Sequence, residues 1–278
     1  MMGRLDMQMN TGMVVKQKYQ AMVYDSFKDA PSIVSTLGIG GSEEDSFKAT
    51  IVHITARHEV KNNERYVMES LLQDECRRNN INLSVYCVDV KKWAQALMPW
   101  PDPAVSRDED VGRHAAETLN WLLNNKEEVS MWGSDPLPWG TDFEKHSCIV
   151  LGGYSLGGLF ALWAARQCRL FQGVAAVSPS LWIQDWCDFA KANPIQTQSV
   201  YLSLGLREEH CRNKYMARVG DCVRREHALL VEQLGEDRTT LEWNGGGHFV
   251  NEGARMAKGY LWTLINLRQQ QASHFHHF

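Results

Sequence analysis

Three residues in one chain order raise the first chemical question. Ser155 stands in Gly153-Tyr154-Ser155-Leu156-Gly157, Glu208 and Glu209 follow in "SLGLREEH", and His248 follows in "EWNGGGHFVNEG". A serine hydroxyl is a poor nucleophile at neutral pH. It becomes a good one when a histidine takes its proton and a carboxylate orients that histidine. Serine, then acid, then histidine is also the chain order expected when the serine is presented on a G-x-S-x-G turn. The expected chemistry is attack of Ser155 on an acyl carbon, with the histidine carrying the proton from nucleophile to leaving group.

Such a set works only if the chain builds the right turn beneath it. From Ser147 to Ala165 there is no charged residue. A membrane span needs roughly 20 apolar residues, so the length alone is ambiguous. Four glycines and a central serine argue instead for a buried strand, a sharp turn and a buried helix face. Gly153 and Gly157 remove the side chains that would clash in a strained strand-to-helix turn. Ser155 then sits at the positive end of the following helix, and the N–H of Leu156 points where an oxyanion would form. Three histidines follow Ser155 before the tail. His227 lies in a charged helical stretch, His210 just after a strand, and His248 after a last strand and three glycines, where a base is best delivered. For the acid, Glu208 and Glu209 both lie just past a strand and both stay open, with Asp221 behind them.

Around these residues, short β-rich runs alternate with helical ones. "ATIVHIT", "INLSVYCVDV", "SCIVLGG", "GVAAVS", "SVYLSLG" and "TTLEWNGGG" read as strands. "ERYVMESLLQDECRR", "GRHAAETLNWLLNN", "LGGLFALWAARQC", "CVRREHALLVEQLG" and "NEGARMAKGYLWTLINLRQQ" read as helices. This alternation predicts the α/β class, with a mostly parallel central sheet and helices on both faces. No linker divides the chain, so residues 1–278 read as one domain. Residues 1–45 read as N-terminal edge strands or a loose extension, and 266–278 as a frayed tail. "MPWPDPAVSRDED" reads as a surface excursion.

Composition excludes several function classes. The net charge is −4, from 29 basic and 33 acidic residues, with no basic patch to recruit nucleic acid or an anionic membrane. The seven cysteines are scattered without a C-x-x-C pair, as expected of free thiols in a reducing cytoplasm. The first twenty residues lack the apolar core and cleavage site of a signal peptide. "STLGIGGS" is a turn rather than a phosphate loop, because no Walker lysine follows. His53 and His58 lack carboxylate partners in a usable pattern, so no metal and no cofactor is expected. Trp100, Trp139, Trp182 and Trp243 fall in or near loops at the sheet's expected active edge. They would serve either an aromatic pocket or core and lid packing.

Four separated segments carry a resemblance. "GGYSLGGLFALWAA", "FQGVAAVSPSLW", "VYLSLGLREEHCRN" and "GGGHF" are similar to the α/β-hydrolase esterases grouped around esterase D and enterochelin esterase, over roughly residues 80 to 265. The resemblance implies the α/β-hydrolase fold. Its acid strand ends in Gly-x-x-Glu, which falls on Gly205-Leu206-Arg207-Glu208 and so selects Glu208. One feature departs from it: "IVHITARHEV" has no glycine after the early strand, so the second oxyanion N–H is assigned to Ala56 or Arg57. The expectation is a cytoplasmic serine hydrolase of carboxylic esters or thioesters, with Ser155, His248 and Glu208 in the catalytic roles and Leu156 in the oxyanion hole. Its partner is a small-molecule ester, with no nucleic acid and no membrane, and homo-oligomerisation stays open. The rivals are acyl transfer by the same residues and a non-catalytic ligand-binding protein of the same fold.

Overall fold

The computed structural model describes residues 31–40, 46–55, 59, 63–105, 111–124 and 148–275. Within them runs one seven-stranded sheet. Its strands are β1 (Ser32–Ile39), β2 (Phe47–Thr55), β3 (Ile81–Asp89), β4 (Cys148–Tyr154), β5 (Gly173–Val177), β6 (Ser199–Gly205) and β7 (Thr239–Asn244). The spatial order is β1-β3-β2-β4-β5-β6-β7. Only β1 is antiparallel, pairing with β3 at the edge with a register shift between Ile33 and Ser35; every other pairing is parallel.

The inner strands β2, β4, β5 and β6 are buried on both faces because both faces are covered, as a parallel sheet requires. Successive side chains point to opposite sides. Val52, Ile54, Ile149, Leu151, Leu202 and Leu204 enter one core. Ala49, Ile51, Val150, Tyr154, Ala175 and Tyr201 enter the other. The second core is closed by α1 (Glu64–Arg78) and α7 (Glu252–Phe275), through Met68, Leu72, Met256, Tyr260 and Leu264. The first is closed by α2 (Trp93–Leu97), α3 (Arg113–Asn124), α4 (Leu156–Gln167), α5 (Trp186–Ala192) and α6 (Val219–Leu234). This is the α/β-hydrolase fold.

Several elements differ from the sequence reading. The short helices α2 and α5 lie in stretches that the sequence reading assigns to no element, and too few turns are present in either for a period to register. The tail read as frayed from residue 266 is instead helical to Phe275, because Leu267 on its inner face is buried in the core. Among the described residues, no helix is long and apolar enough to cross a membrane. The N-terminal thirty residues, the Ala56–Arg57 pair, Trp139 and the last three residues of the histidine-bearing tail lie outside the described residues.

The order of strands fixes where chemistry can gather. β4, β5, β6 and β7 are consecutive parallel neighbours, so the segments leaving their C-terminal ends emerge side by side. In open α/β sheets this edge is where ligands bind.

Candidate active site

Ser155 caps α4 with φ 57° and ψ −117°, a backbone conformation rarely adopted by a residue with a side chain. Its N–H donates to the carbonyl of Val177, and its own carbonyl accepts from the N–H groups of Leu159 and Ser180. Gly153 makes the turn feasible: a Cβ there would stand 2.8–2.9 Å from backbone atoms of Gly157. The side chain is thus held clear of the sheet at the head of a helix. The first N–H groups of a helix have no intrahelical acceptor, and that of Leu156 directly follows Ser155.

His248 brings its Nε2 to 3.0 Å from Ser155 Oγ and its Nδ1 to 2.7 Å from Glu208 Oε2. An ionised carboxylate only accepts, so Nδ1 carries the proton and donates it to Glu208. The Nε2 lone pair then faces the serine hydroxyl. Ser155, Glu208 and His248 therefore meet in the geometry that nucleophile, orienting acid and base require. Glu209 does not join them. It pairs with Arg224, Nη1 to Oε2 at 2.8 Å, and Asp221 lies against the same guanidinium. His210 is exposed, and His227 sits part-way along α6.

Glu208 is buried. Burial pushes its carboxyl up, but the hydrogen bond and charge of His248, the Ser178 hydroxyl and the Gly205 N–H outweigh this and hold it below the usual glutamate range. Its Oε1 accepts from Ser178 Oγ at 2.5 Å and from Gly205 N–H at 2.7 Å, leaving Oε2 to the histidine. Gly205 is glycine for a reason of space: a Cβ there would stand 2.8 Å from Glu208 Oε1.

Four residues around this set are not found by sequence reasoning. Ser178, at the end of β5 with φ 46°, presents its hydroxyl to Glu208. Ser180 brings its Oγ to 3.2 Å from Ser155 Oγ. Tyr154, just before Ser155, donates to the carbonyl oxygen of His248. Arg255, on the first turns of α7, reaches Tyr154 Oη at 2.7 Å and Ser178 Oγ at 2.5 Å. Ser178 and Ser180 sit in "SPSLW", a segment quoted above for its resemblance, and that was the available signal. Arg255 carries none, since an arginine on a helix reads as a solvated charge.

The tryptophans divide. Trp182 stands on the loop that carries Ser180, edge-on to Tyr215 at 5.6 Å. Trp100 stacks near Trp186 and donates to the carbonyl of Gln184, which is packing. Trp243 lies beneath Arg224. Asp102, in the proline-bearing excursion, accepts from Tyr215 Oη at 2.5 Å and from Gln184 N–H at 2.8 Å. The described part of that excursion is thereby pinned against the loop that carries Ser180. His53, read as lacking a carboxylate partner, has one: Glu59 at 2.7 Å. Among the described residues, no group of three potential ligands could hold a metal ion.

The same architecture recurs in solved structures. The chain is similar to the siderophore hydrolase EstA from Aspergillus nidulans, with TM-score 0.55 and 15% identity over 83% of this chain and 93% of that one. It is similar to an IroE-like serine hydrolase from Shewanella oneidensis, with TM-score 0.55 and 15% identity over 78% and 69% of the two chains. The BES protein from Bacillus cereus matches with TM-score 0.52 and 15% identity over 82% and 87%. No family model and no curated protein sequence matches the chain.

Proposed function

We propose that the protein is a serine hydrolase that cleaves a carboxylic ester or thioester through an acyl-enzyme on Ser155. The observation that carries this reading is the hydrogen-bonded line from Ser155 Oγ through His248 to Glu208, at 3.0 and 2.7 Å. Ser155 Oγ attacks the carbonyl carbon as His248 Nε2 takes its proton. The negative charge on the former carbonyl oxygen is stabilised by the Leu156 N–H at the helix terminus. The imidazolium, held by Glu208, returns the proton to the leaving alcohol or thiol. Water, deprotonated by the same nitrogen, then releases the acid and frees Ser155. The hydrolase names carried by similarly folded structures support the same reaction class.

The test is direct. A fluorophosphonate probe should label the wild-type protein on Ser155, and Ser155→Ala should abolish both labelling and turnover of p-nitrophenyl esters, a loss of about 10⁴-fold or more. Full ester turnover in Ser155→Ala would overturn the assignment. A panel of esters graded by acyl length and aromaticity, with siderophore esters among them, would define the substrate.

A further inference from the structure

Arg255 lies buried beneath the site, and nothing in the reaction described above uses it. Elsewhere in the chain a buried arginine grips its glutamate directly: Arg166 Nη2 stands 2.7 Å from Glu226 Oε1. Arg255 reaches its glutamate directly only by a long contact. Its Nη2 is 3.5 Å from Glu208 Oε1, and the Ser178 hydroxyl stands between them, 2.5 Å from each. Its Nη1 contacts Tyr154 Oη at 2.7 Å, and that hydroxyl continues to the His248 carbonyl.

A guanidinium has N–H donors and no acceptor. Any hydroxyl that touches it must therefore accept from it. The Ser178 oxygen is then committed to the cation, and its single proton is free for Glu208 Oε1. The Tyr154 oxygen is committed likewise, and its proton goes to the His248 carbonyl. A hydroxyl that turned a lone pair to the site would set acceptor against acceptor at Glu208 Oε1 or the His248 carbonyl, and one that turned its proton to the cation would set donor against donor. We propose that Arg255 is the positioning residue of this active site, one cation that sets the polarity of two hydroxyl relays. One relay, through Ser178, fixes the acid. The other, through Tyr154, fixes the backbone of the base.

The arrangement accounts for two otherwise costly features. Ser178 adopts a positive φ with a side chain, and from that backbone its hydroxyl meets Glu208. Glu208 keeps Oε2 for His248 because Oε1 is saturated by Ser178 and Gly205. A close Arg255–Glu208 pair, in place of the long 3.5 Å contact, would compete for the same carboxylate and draw it from the histidine. The relays also join four chain segments, those bearing Tyr154, Ser178, Glu208 and His248, to one helix.

This inference rests on the serine-hydrolase reading, and the experiment separates the two. In full-length protein, Ser178→Ala and Tyr154→Phe each remove one relay without inserting bulk. Each should lower kcat on a p-nitrophenyl ester by about 10- to 100-fold, the scale of a small misplacement of reacting groups, with KM within about twofold. In a Glu208→Gln background the Ser178→Ala loss should vanish, because that relay acts only through Glu208, while the Tyr154→Phe loss should persist. Arg255→Lys, still a pure donor, should retain more kcat than Arg255→Gln, whose amide can accept. The downfield proton NMR resonance of the His248–Glu208 hydrogen bond gives a readout independent of turnover and should weaken or move in Ser178→Ala. Wild-type kcat and an unmoved resonance in folded Ser178→Ala and Tyr154→Phe would overturn the proposal. Absence of turnover and of probe labelling in the wild type would instead overturn the functional reading.

Discussion

His53–Glu59 and His248–Glu208 are both histidine–glutamate pairs backed by a tyrosine, and their difference shows what would make one of them reactive. His53 on β2 holds Glu59 through Nε2 at 2.7 Å and meets the hydroxyl of Tyr260 through Nδ1 at 2.9 Å, with its ring fully enclosed. His248 holds Glu208 through Nδ1 at the same 2.7 Å and is also backed by a tyrosine, yet its side chain is 29% exposed and its second nitrogen faces a serine. The carboxylate is common to both pairs. In the first, both nitrogens are spent on satisfying buried groups, so the pair is a brace. In the second, the tyrosine grips the backbone and leaves one ring nitrogen for chemistry.

The sharpest way to break this comparison is to remove each ring. His248→Ala should lower kcat by about 10⁴-fold or more while the unfolding midpoint stays close to wild type. His53→Ala should do the reverse. It takes one hydrogen-bond partner from the buried Glu59 carboxylate, which keeps Thr55 Oγ1, and one from the buried Tyr260 hydroxyl, and should cost about 2–4 kcal/mol in urea unfolding with kcat of the folded protein within about threefold. Loss of catalysis without loss of stability in His53→Ala would erase the distinction.

The acids test the next level. Glu208→Gln should lower kcat by about 10²- to 10⁴-fold, because the amide favours the wrong tautomer of His248. Glu209→Ala should stay within about twofold, since its ion pair with Arg224 lies on the surface. A smaller effect is expected at Ser180, whose hydroxyl steadies Ser155 Oγ without moving a proton. Ser180→Ala should cost about 3- to 10-fold in kcat, the value of one neutral hydrogen bond.

The mildest effect is on pH. The Glu208 carboxyl is held below its ordinary value of 4.5 in the folded chain, against the push of burial, by His248, Ser178 and Gly205. A carboxyl with a depressed folded pKa stabilises the fold above its unfolded pKa, and that contribution fades as pH falls through the folded one. The stability gap between wild type and Glu208→Gln should therefore be level between about pH 7 and pH 5 and should change below about pH 4.5, as the wild type loses this contribution. A gap that keeps one value down to pH 3 would deny Glu208 its ionised role.

What could be read from sequence follows a physical line. Ser155, Glu208 and His248 were legible because each sits at a strand end, and strand ends announce themselves by apolar runs and glycines. The parallel sheet was legible from the same runs. Arg255 and Tyr154 were not, because their role depends on which face of the sheet α7 covers, and nothing local encodes that. Glu59 escaped for a similar reason, since only the fold turns it back beneath β2 to meet His53. The helix α5 escaped because "WCDFAKA" is too short for a period to show, and its place is set by Trp186 burying against α6, where Glu226 accepts from its indole at 3.0 Å.

The ninety-three positions between Ser155 and His248 also separate them in time. A ribosome adding about 5–20 residues per second makes the nucleophile turn roughly 5 to 20 s before it makes the base. Arg255 follows His248 in the chain and is made later still. Throughout that interval the emerging polypeptide carries a serine with no proton acceptor, and so an inert one. On the proposed mechanism the site is complete only when α7 docks, so a helix made after all seven strands would act as a completion check on the sheet.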